Sequence, residues 1–343
     1  MVQMTGSWQN VSRILVVKPS SLGDIIHVFP ALTVLKNIFP DAEFDFLVNA
    51  QFASLLDHSP VTIRKKVIFE RKKLGTLKGF LPESLKLVRA LRREKYDIVI
   101  DFQGLMRSAF FSFLARPRYG VFGFATPRES LSTIFYRRKA QCTSIHAVDR
   151  NVELLNKLFG TNYHAPDCTI PVPEQGNFSF EPGYVLIFPG ARWESKRYPS
   201  GFFADIAAAS VRNGRRVILA GSPDEAALCN RVFEKAGSHP DITVLAGKTS
   251  LADLFTLAEN AFCVVCNDSG PLHIASILNK RIYTFFGPTD PAKTGPWNSE
   301  ARVYRSEIEC SGCLKRVCPL KNAPCHELDR NQIIQDIFNQ EIS

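Results

Sequence analysis

The sequence predicts an α/β protein built from two doubly wound parallel-sheet domains, and three observations carry that prediction. Its 343 residues suffice for two domains of about 150 residues each. Short apolar runs alternate with segments of helical spacing, which is typical of parallel sheets covered by helices on both faces. A proline-rich stretch at 166–183 has no helical periodicity and separates two such series, so we expect the linker there.

The local pattern of apolar residues justifies each element in turn. Buried strands are predicted in the first half at 13–17, 44–48 and 98–100, and in the second half at 184–188, 216–219, 243–245, 262–266 and 282–285. Helices are predicted from Asp24 onward and over 83–94, 148–159 and 272–278. We therefore expect a first domain at 1–165, a second at 184–326 and a C-terminal helix at 327–343.

The composition excludes several classes of protein. Hydrophobic residues make up 45% of the chain and charged residues 22%, which is ordinary for a soluble globular protein. The longest apolar runs fall short of the roughly 18 residues of a membrane span, and the first twelve residues lack the features of a secretory signal. We expect a cytoplasmic protein whose nine cysteines are reduced thiols or metal ligands.

The net charge of +9 predicts an anionic partner such as nucleic acid, a phosphorylated substrate or an acidic lipid surface. Many of the cations fall between residues 64 and 95, a stretch that we call the basic region. A solvated helix face and an anion-binding surface are both compatible with such a run of charge.

The loop after the first strand, Lys18 to Asp24, contains one glycine and matches neither a Walker A loop nor a dinucleotide fingerprint. Asp24 stands just before helical spacing begins, so its side chain is a candidate helix cap. A carboxylate at the carboxyl end of a strand is also a candidate general base. The residues alone leave both interpretations open.

Three loops that follow strands in the second half carry candidate binding residues. Asp268, Ser269 and Gly270 open a predicted helix, where backbone N–H groups favour a phosphate, although either of the first two residues is also a candidate cap. The loop at 188–199 contains three cations, among them Lys196. These cations either neutralise charge on a departing phosphate or are simply exposed to solvent. The loop at 220–225 contains carboxylates that suit a ribose hydroxyl, Glu225 among them.

Taken together, these segments resemble glycosyltransferase family 9, the ADP-heptose:lipopolysaccharide heptosyltransferases, and are most like its type I members. The matching blocks run in the family's order from near residue 13 to near residue 291: ILVVKPSSLGDIIHVFPAL, YDIVIDFQGLMRSA, RESLSTIFYRRK, HAVDRNVELL, FPGARWESKRYP, LAGSPDE, VVCNDSGPLHIAS and TFFGPTDP. The resemblance implies a GT-B fold, in which two Rossmann-like domains face a central cleft and bind the acceptor and the nucleotide sugar respectively. It also implies inversion at the anomeric carbon.

The resemblance further implies roles for individual residues. Asp24 stands where the family has its proposed catalytic base, and Glu225 matches a carboxylate that holds the nucleoside. The implied donor-phosphate residues are Lys196, Asp268, Ser269, Gly270 and His273. The candidate acceptor residues are Ser21, Arg71, Lys72, Lys73, Arg107 and Arg128.

The expected partners follow from the same resemblance. The donor is ADP-heptose, the acceptor is Kdo2-lipid A or inner-core lipopolysaccharide, and the basic region suits an anionic membrane surface. We expect no nucleic-acid partner, no cofactor required for catalysis, and a peripheral position on the cytoplasmic face of the inner membrane.

Four cysteines near the C-terminus form a separate motif, with two, four and six residues between them: Cys310, Cys313, Cys318 and Cys325. Such thiols suit a structural zinc site, or less well an iron–sulfur cluster, although reduced loop cysteines also explain them. The segment departs from the type I pattern, so a later core acceptor, as for a type II enzyme, stays open.

Other functions remain open at this point. A family member that uses another nucleotide sugar fits the same motifs, and a GT-B nucleotide-sugar epimerase would bind the donor without transferring it. A zinc-containing nucleic-acid-binding protein agrees with the charge and the cysteines, although the sequence lacks a groove-reading helix motif.

Overall fold

The structure is a computed structural model that describes residues 8, 10–70, 73, 77–168, 170–172, 176–297, 300–320 and 323–338. The chain forms two compact units, Met1–Pro171 and Val172–Ser343, and the division falls inside the proline-rich stretch. Two of the candidate acceptor residues, Arg71 and Lys72, lie outside the described residues.

The first unit contains one six-stranded parallel sheet with strand order β3-β2-β1-β4-β5-β6. Its strands are β1 Arg13–Val17, β2 Glu43–Val48, β3 Ile63–Ile68, β4 Ile98–Asp101, β5 Gly120–Phe124 and β6 Arg138–Ala140. Its helices are α1 Leu22–Ile26, α2 Phe29–Ile38, α3 Leu77–Arg93, α4 Met106–Leu114 and α5 Ala147–Phe159, with 3₁₀ helices at Ala50–His58 and Ser130–Phe135.

The second unit contains another six-stranded parallel sheet, with strand order β12-β11-β10-β7-β8-β9. Its strands are β7 Tyr184–Phe188, β8 Val217–Leu219, β9 Ile242–Val244, β10 Ala261–Asn267, β11 Ile282–Phe286 and β12 Ala301–Arg305. Its helices are α6 Ser200–Arg212, α7 Ala226–Lys235, α8 Leu251–Glu259, α9 Gly270–Ile277, α10 Pro291–Thr294 and α11 Arg330–Phe338.

Both sheets have the Rossmann order, in which the chain starts at a central strand, moves to one edge and then returns to build the other half. The predicted α/β class with two doubly wound parallel sheets is therefore confirmed. In such sheets ligands bind at the carboxyl ends of the two strands where the order reverses. These strands are β1 and β4 in the first unit, and β7 and β10 in the second.

Apolar side chains on both faces of the central strands explain the layered arrangement. On one face of the first sheet, Leu15 and Val17 of β1 pack with Leu91 of α3 and Phe111 of α4. In the second unit the rings of Phe202 and Phe285 lie 4.7 Å apart, and Ile333 and Ile337 place α11 in the same core.

Several elements differ from the sequence-based predictions. β3 falls in the basic region and was not predicted, because Arg64, Lys65 and Lys66 interrupt its apolar pattern at the sheet edge. The helix predicted from Asp24 onward is two helices, α1 and α2, and Pro30 stands in the first turn of the second. No helix in the described part of the chain combines the length and the apolar character needed to cross a bilayer.

Candidate active site

Asp24 is the third residue of α1, the helix that follows the loop after β1, and its side chain does cap the helix. The backbone N–H and the hydroxyl of Ser21 both donate to Oδ2 of Asp24 at 2.9 Å. This capping box occupies one carboxylate oxygen and fixes the side-chain rotamer. The other oxygen, Oδ1, is left for chemistry outside the helix.

Two cations orient Oδ1 of Asp24. The Nη2 atom of Arg128 donates to it at 2.8 Å, and Nζ of the buried Lys18 lies 3.9 Å away while donating to the carbonyl oxygen of Phe102. Burial lowers the pKa of Lys18, and Asp24 raises it. Burial opposes ionisation of Asp24, yet Lys18, Arg128 and the Ser21 hydrogen bonds hold its pKa well below the usual range. Asp24 is therefore an ionised carboxylate at neutral pH.

A second carboxylate, Asp101 at the end of β4, stabilises the neighbouring loop. It accepts hydrogen bonds from the N–H groups of Gln103 and Gly104 and from the hydroxyls of Ser108 and Tyr136. Gly104 has a φ of +68°, and a Cβ atom there would lie 2.9 Å from Cβ of the residue preceding Arg128. This close approach holds the Arg128 segment beside the end of β4.

In the second unit, the loop after β10 leads directly into α9. Ser269 is the N-cap residue and Gly270 the first helical residue, so the positive end of the helix dipole lies at this point. The Ser269 hydroxyl oxygen is buried and has no hydrogen-bond partner among the described residues. A buried hydroxyl of this kind at a helix N-terminus suits an anion.

Lys196 lies at the same end of the sheet, in the loop after β7. Its Nζ atom is 2.5 Å from Oδ2 of Asp268, which also accepts a hydrogen bond from Thr289 at 2.5 Å. The ammonium group also lies 4.8 Å from the centre of the Trp193 ring. Asp268, a predicted donor residue, therefore contacts Lys196 and fixes the position of this cation.

Glu225 lies between the ends of β7 and β8. Its carboxylate accepts a hydrogen bond from the N–H of Ser222 at 2.8 Å, and it packs against the backbones of Gly190 and Gly221. A Cβ atom on Gly190 would overlap the carboxylate, so this approach requires glycine there. The other predicted phosphate residue, His273, is buried in α9.

The Gly190→Ala substitution should displace the Glu225 carboxylate without disturbing the sheet, because the clash involves the end of a flexible side chain. We expect affinity for a nucleoside diphosphate to fall by about tenfold or more, the value of a hydrogen bond to a charged group. Isothermal titration with ADP measures this. Gly201→Ala is the matched control, since a Cβ there meets no atom within 4 Å. Equal affinities for the two variants would remove Glu225 from the site.

The segment from Cys310 to His326, which we call the Cys-rich segment, supports the Lys196 loop. Ser195 donates from its hydroxyl to the Lys315 carbonyl at 2.6 Å, and its own carbonyl lies 2.8 Å from Nε2 of His326. The Tyr198 hydroxyl donates to the Cys325 carbonyl at 2.9 Å. The segment thus holds a loop that carries a predicted phosphate-binding cation.

The four cysteines of this segment differ in exposure: Cys310 and Cys313 are exposed, Cys318 is half-buried and Cys325 is buried. Burial raises the pKa of Cys325, and the other three thiols raise it further. Among the described residues, however, no three His, Cys, Asp or Glu side chains are arranged to hold a metal ion. A zinc site at these cysteines stays a prediction, and no step of the reaction is assigned to a metal there.

Acidic partners from other elements neutralise much of the basic region. Arg64 binds Asp45 at 2.5 Å and Glu94 at 2.6 Å, and Lys65 binds the same glutamate at 2.6 Å. Hydrogen bonds from Lys65 and Arg64 lower the pKa of Glu94 to about 2. The sequence pattern did not reveal these long-range ion pairs, so the strand cations are less available to an anion than their number indicates.

The remaining candidate acceptor residues occupy different places in the first unit. Ser21 and Arg128 both contact Asp24. Lys73 lies 3.9 Å from Glu70 and 3.7 Å from Glu83, while Arg107 is exposed on α4. A cavity of about 300 Å³ between β3 and α3 is lined by both signs of charge: Lys65, Lys66, Glu70, Glu83 and Lys86, with Val67, Ile68, Leu87 and Ala90.

Several residues at these sites were not assigned a role from the sequence. Lys18 stands in the loop that was singled out, but only the fold shows that it is buried beside Asp24. Asn267, the last residue of β10, donates to the Pro189 carbonyl at 2.8 Å and so joins the two loops at the strand-order reversal. Thr289 and Trp193 contact the Lys196–Asp268 pair from separate loops.

Comparison with known proteins places the chain in a family. The model of glycosyltransferase family 9 (heptosyltransferase) matches residues 84–323. Lipopolysaccharide heptosyltransferase 1 of Pseudomonas aeruginosa is 30% identical over 322 residues, which cover 89% of this chain and 87% of that protein. The protein of that name from Escherichia coli K12 is 31% identical over 309 residues, covering 87% and 94%.

A solved structure agrees with this match. The Escherichia coli heptosyltransferase WaaC with ADP-2-deoxy-2-fluoro heptose has a TM-score of 0.71 and 28% identity, and the match covers 86% of this chain and 93% of that one. Since the family model spans more than half of the chain and both relatives align over most of it, the chain belongs to glycosyltransferase family 9 and is a glycosyltransferase with the GT-B fold.

Proposed function

We propose that the chain is an inverting heptosyltransferase that moves heptose from ADP-heptose to the Kdo region of an inner-core lipopolysaccharide acceptor. The observation that carries the proposal is the anion site at the ends of β7 and β10, where Lys196 and the unpartnered Ser269 hydroxyl accompany the start of α9. The names of the relatives, lipopolysaccharide heptosyltransferases, support the sugar and the pathway.

The donor diphosphate binds in this proposal through cations and helix amides. The Lys196 ammonium neutralises charge on the leaving ADP, and the Ser269 hydroxyl and the start of α9 donate hydrogen bonds to its phosphate oxygens. Glu225 accepts hydrogen bonds from the ribose. Because these groups supply the positive potential themselves, we propose that transfer requires no divalent metal.

The acceptor hydroxyl is activated by Asp24. Its Oδ1 atom removes the hydroxyl proton while Oδ2 remains in the helix cap. The acceptor oxygen forms a bond to the anomeric carbon as the bond from that carbon to the phosphate oxygen breaks. ADP leaves with the electron pair, the proton stays on Asp24 until solvent takes it, and the configuration inverts.

Arg128 links acceptor binding to the strength of this base. It is exposed and bound to Asp24 at 2.8 Å, so an anionic acceptor competes with Asp24 for the guanidinium group. When Arg128 moves to a carboxylate of the acceptor, Asp24 loses a cation and becomes more basic. The capping hydrogen bonds from Ser21 hold Asp24 in place during this exchange.

The Arg128→Gln substitution should move the acid limb of the kcat/KM profile to higher pH. The wild-type carboxylate has a depressed pKa, and loss of one cation raises that pKa by about one pH unit or more. The KM for the acceptor should also rise, while the Kd for ADP stays constant. Arg118→Gln, at another exposed arginine of this unit, is the control. An acid limb at the same pH as in the wild type would show that Arg128 does not influence the pKa of Asp24.

The transfer reaction itself tests the proposed function. The chain is incubated with ADP-heptose and heptose-free Kdo2-lipid A in the presence of EDTA, and ADP release and acceptor mass are followed together. We expect equal amounts of ADP and heptosylated lipid. ADP release without a gain in acceptor mass would contradict transfer. Transfer only to an already heptosylated core would indicate the later acceptor. Loss of turnover in EDTA would contradict metal independence.

The place of action follows from the acceptor. Because Kdo2-lipid A is a membrane lipid, we propose that the chain works at the cytoplasmic face of the inner membrane. Its net charge of +9 suits the anionic lipids of such a surface, where each cation contributes about 1 kcal/mol.

A further inference from the structure

Large apolar side chains are exposed on three neighbouring elements of the first unit. Leu81 and Leu85 of α3 are 65% and 47% exposed, and Phe113 of α4 is 53% exposed. Leu131 and Ile134, in the 3₁₀ helix that follows β5, are 67% and 69% exposed. Single exposed apolar residues are ordinary on a protein surface, but a contiguous group of them marks an interaction site.

Contacts show that these side chains share one surface. The ring of Phe135, at the end of the 3₁₀ helix, lies 5.8 Å from that of Phe110 and 5.6 Å from that of Phe113. Side chains three residues apart eclipse each other in a 3₁₀ helix, so Leu131 and Ile134 point the same way. The exposed side chains of α4 and of the 3₁₀ helix therefore continue into one another.

Helix α3 lies beside this surface. Arg92 donates from Nε to the carbonyl oxygen of Leu114 at 2.9 Å, and both helices cover the same face of the sheet. Leu81, Leu85 and Arg89 follow one another at intervals of four residues, so they form one exposed stripe that is apolar at one end and basic at the other. We call the four exposed apolar residues of α4 and the 3₁₀ helix the docking face: Phe110, Phe113, Leu131 and Ile134.

The charge around the docking face selects an anionic partner. Exposed arginines stand on or directly beside the same elements: Arg107 on α4, Arg116 just after it, and Arg128 and Arg137 on either side of the 3₁₀ helix. Glu129 is the only acidic residue between positions 102 and 138. The Glu129 carboxylate is already engaged, because it accepts a hydrogen bond from the N–H of Met106 at 2.6 Å. Exposed aromatic and aliphatic side chains with a basic rim are typical of surfaces that enter an anionic lipid bilayer.

The docking face also lies close to the candidate base. Arg128 binds Asp24 and precedes Leu131 by three residues, which even a fully extended chain spans in about 11 Å. A lipid held at Leu131 and Ile134 would therefore present its headgroup beside the Asp24 carboxylate.

We propose that the docking face inserts into the surface of an anionic lipid bilayer and sets Asp24 at the level of the lipid headgroups. The identity of the acceptor in that bilayer rests on the proposed function, whereas the binding to anionic lipid does not. The basic region gave only a charge argument for a membrane; the docking face adds the apolar contact that reversible attachment needs.

Binding to vesicles of defined composition tests this proposal. The full chain is sedimented with vesicles of phosphatidylethanolamine and phosphatidylglycerol, and with vesicles of phosphatidylcholine alone. We expect binding to the first and much weaker binding to the second. The double substitution Leu131→Ser and Ile134→Ser should lower the partition coefficient on the anionic vesicles by about tenfold or more. Equal partition of this variant and the wild type would overturn the proposal.

Matched variants separate the docking face from other effects. Val317→Ser with Leu320→Ser changes two apolar residues of the second unit that are 61% and 49% exposed, and it should leave vesicle binding unchanged. If the double variant unfolds at a lower temperature than the wild type, vesicle binding of the single variant Phe113→Ser tests the docking face instead. Sedimentation velocity tests the other occupant. If the wild type sediments as a dimer and the double variant does not, a second copy of the chain covers the docking face, and this result would contradict lipid as its partner.

An activity measurement keeps this inference apart from the proposed function. The double variant should transfer heptose to a lipid-free Kdo acceptor at the wild-type rate, but more slowly to Kdo2-lipid A in vesicles. Slower transfer to the lipid-free acceptor as well would mean that these residues act in the site rather than on the membrane. If the wild type transfers no heptose, the proposed function fails, while the vesicle result still decides the docking face.

Discussion

The Asp24→Asn substitution is expected to lower kcat by about a hundred- to ten-thousandfold, the usual contribution of a positioned general base. Asparagine retains an oxygen that accepts the Ser21 hydrogen bonds, so the helix cap and the loop geometry persist. It cannot take a proton from the acceptor hydroxyl. The Kd for ADP should remain that of the wild type, because the proposed donor residues lie in the second unit.

The control for this variant is Asp41→Asn, which changes an exposed carboxylate of the same unit. Its kcat and Kd should match those of the wild type. Thermal unfolding of both variants detects any loss of folding caused by the Lys18 charge that Asp24 leaves behind. A folded Asp24→Asn protein with the wild-type kcat would remove Asp24 from the mechanism.

Replacing Lys196 by Ala is expected to lower kcat by about a hundredfold or more and to weaken ADP binding. The ammonium group meets charge that develops on the departing diphosphate, so its loss affects the transition state more than the ground state. Of the contacts described above, the buried Asp268 carboxylate then keeps only the hydrogen bond from the Thr289 hydroxyl. Its uncompensated negative charge repels an incoming anion. Steady-state kinetics and calorimetry with ADP measure the two effects.

Two variants accompany this measurement. Lys235→Ala removes an exposed lysine at the end of α7 and should change neither kcat nor Kd. The double variant Lys196→Ala with Asp268→Asn removes the uncompensated carboxylate charge, so it should bind ADP more tightly than Lys196→Ala alone. ADP binding that is the same with and without Lys196 would exclude its contact with the phosphates.

The buried parts of both sheets were predictable from sequence. β1 and β7 were found at their observed bounds, because their apolar residues are buried on both faces and form continuous runs. β3, β6 and β12 were missed. All three lie at sheet edges and contain arginine or lysine, so their position depends on pairing with a neighbouring strand rather than on apolar content. β5 was missed because two of its five residues are glycine.

The candidate site was predictable to the level of loops but not of contacts. Asp24 follows a central strand of the first sheet, and Lys196 and Ser269 follow central strands of the second. Each parallel sheet brings the loops after its strands to one of its own edges. That Lys18 is buried beside Asp24, and that Asp268 contacts Lys196, depends on residues from separate elements. The spacing of the four cysteines indicates a metal site, which stays a prediction, but it does not reveal that their segment supports the Lys196 loop.

The proposed reaction is a single displacement in which Asp24 deprotonates the acceptor while Lys196 stabilises the departing diphosphate. The most direct test is the anomeric configuration of the transferred heptose, read by NMR from the coupling constants of the purified product and compared with that of the donor. We expect inverted configuration and no covalent sugar on the protein. Retention of the donor configuration would contradict the single displacement, because a retained centre requires two displacements or attack from the face of the leaving group.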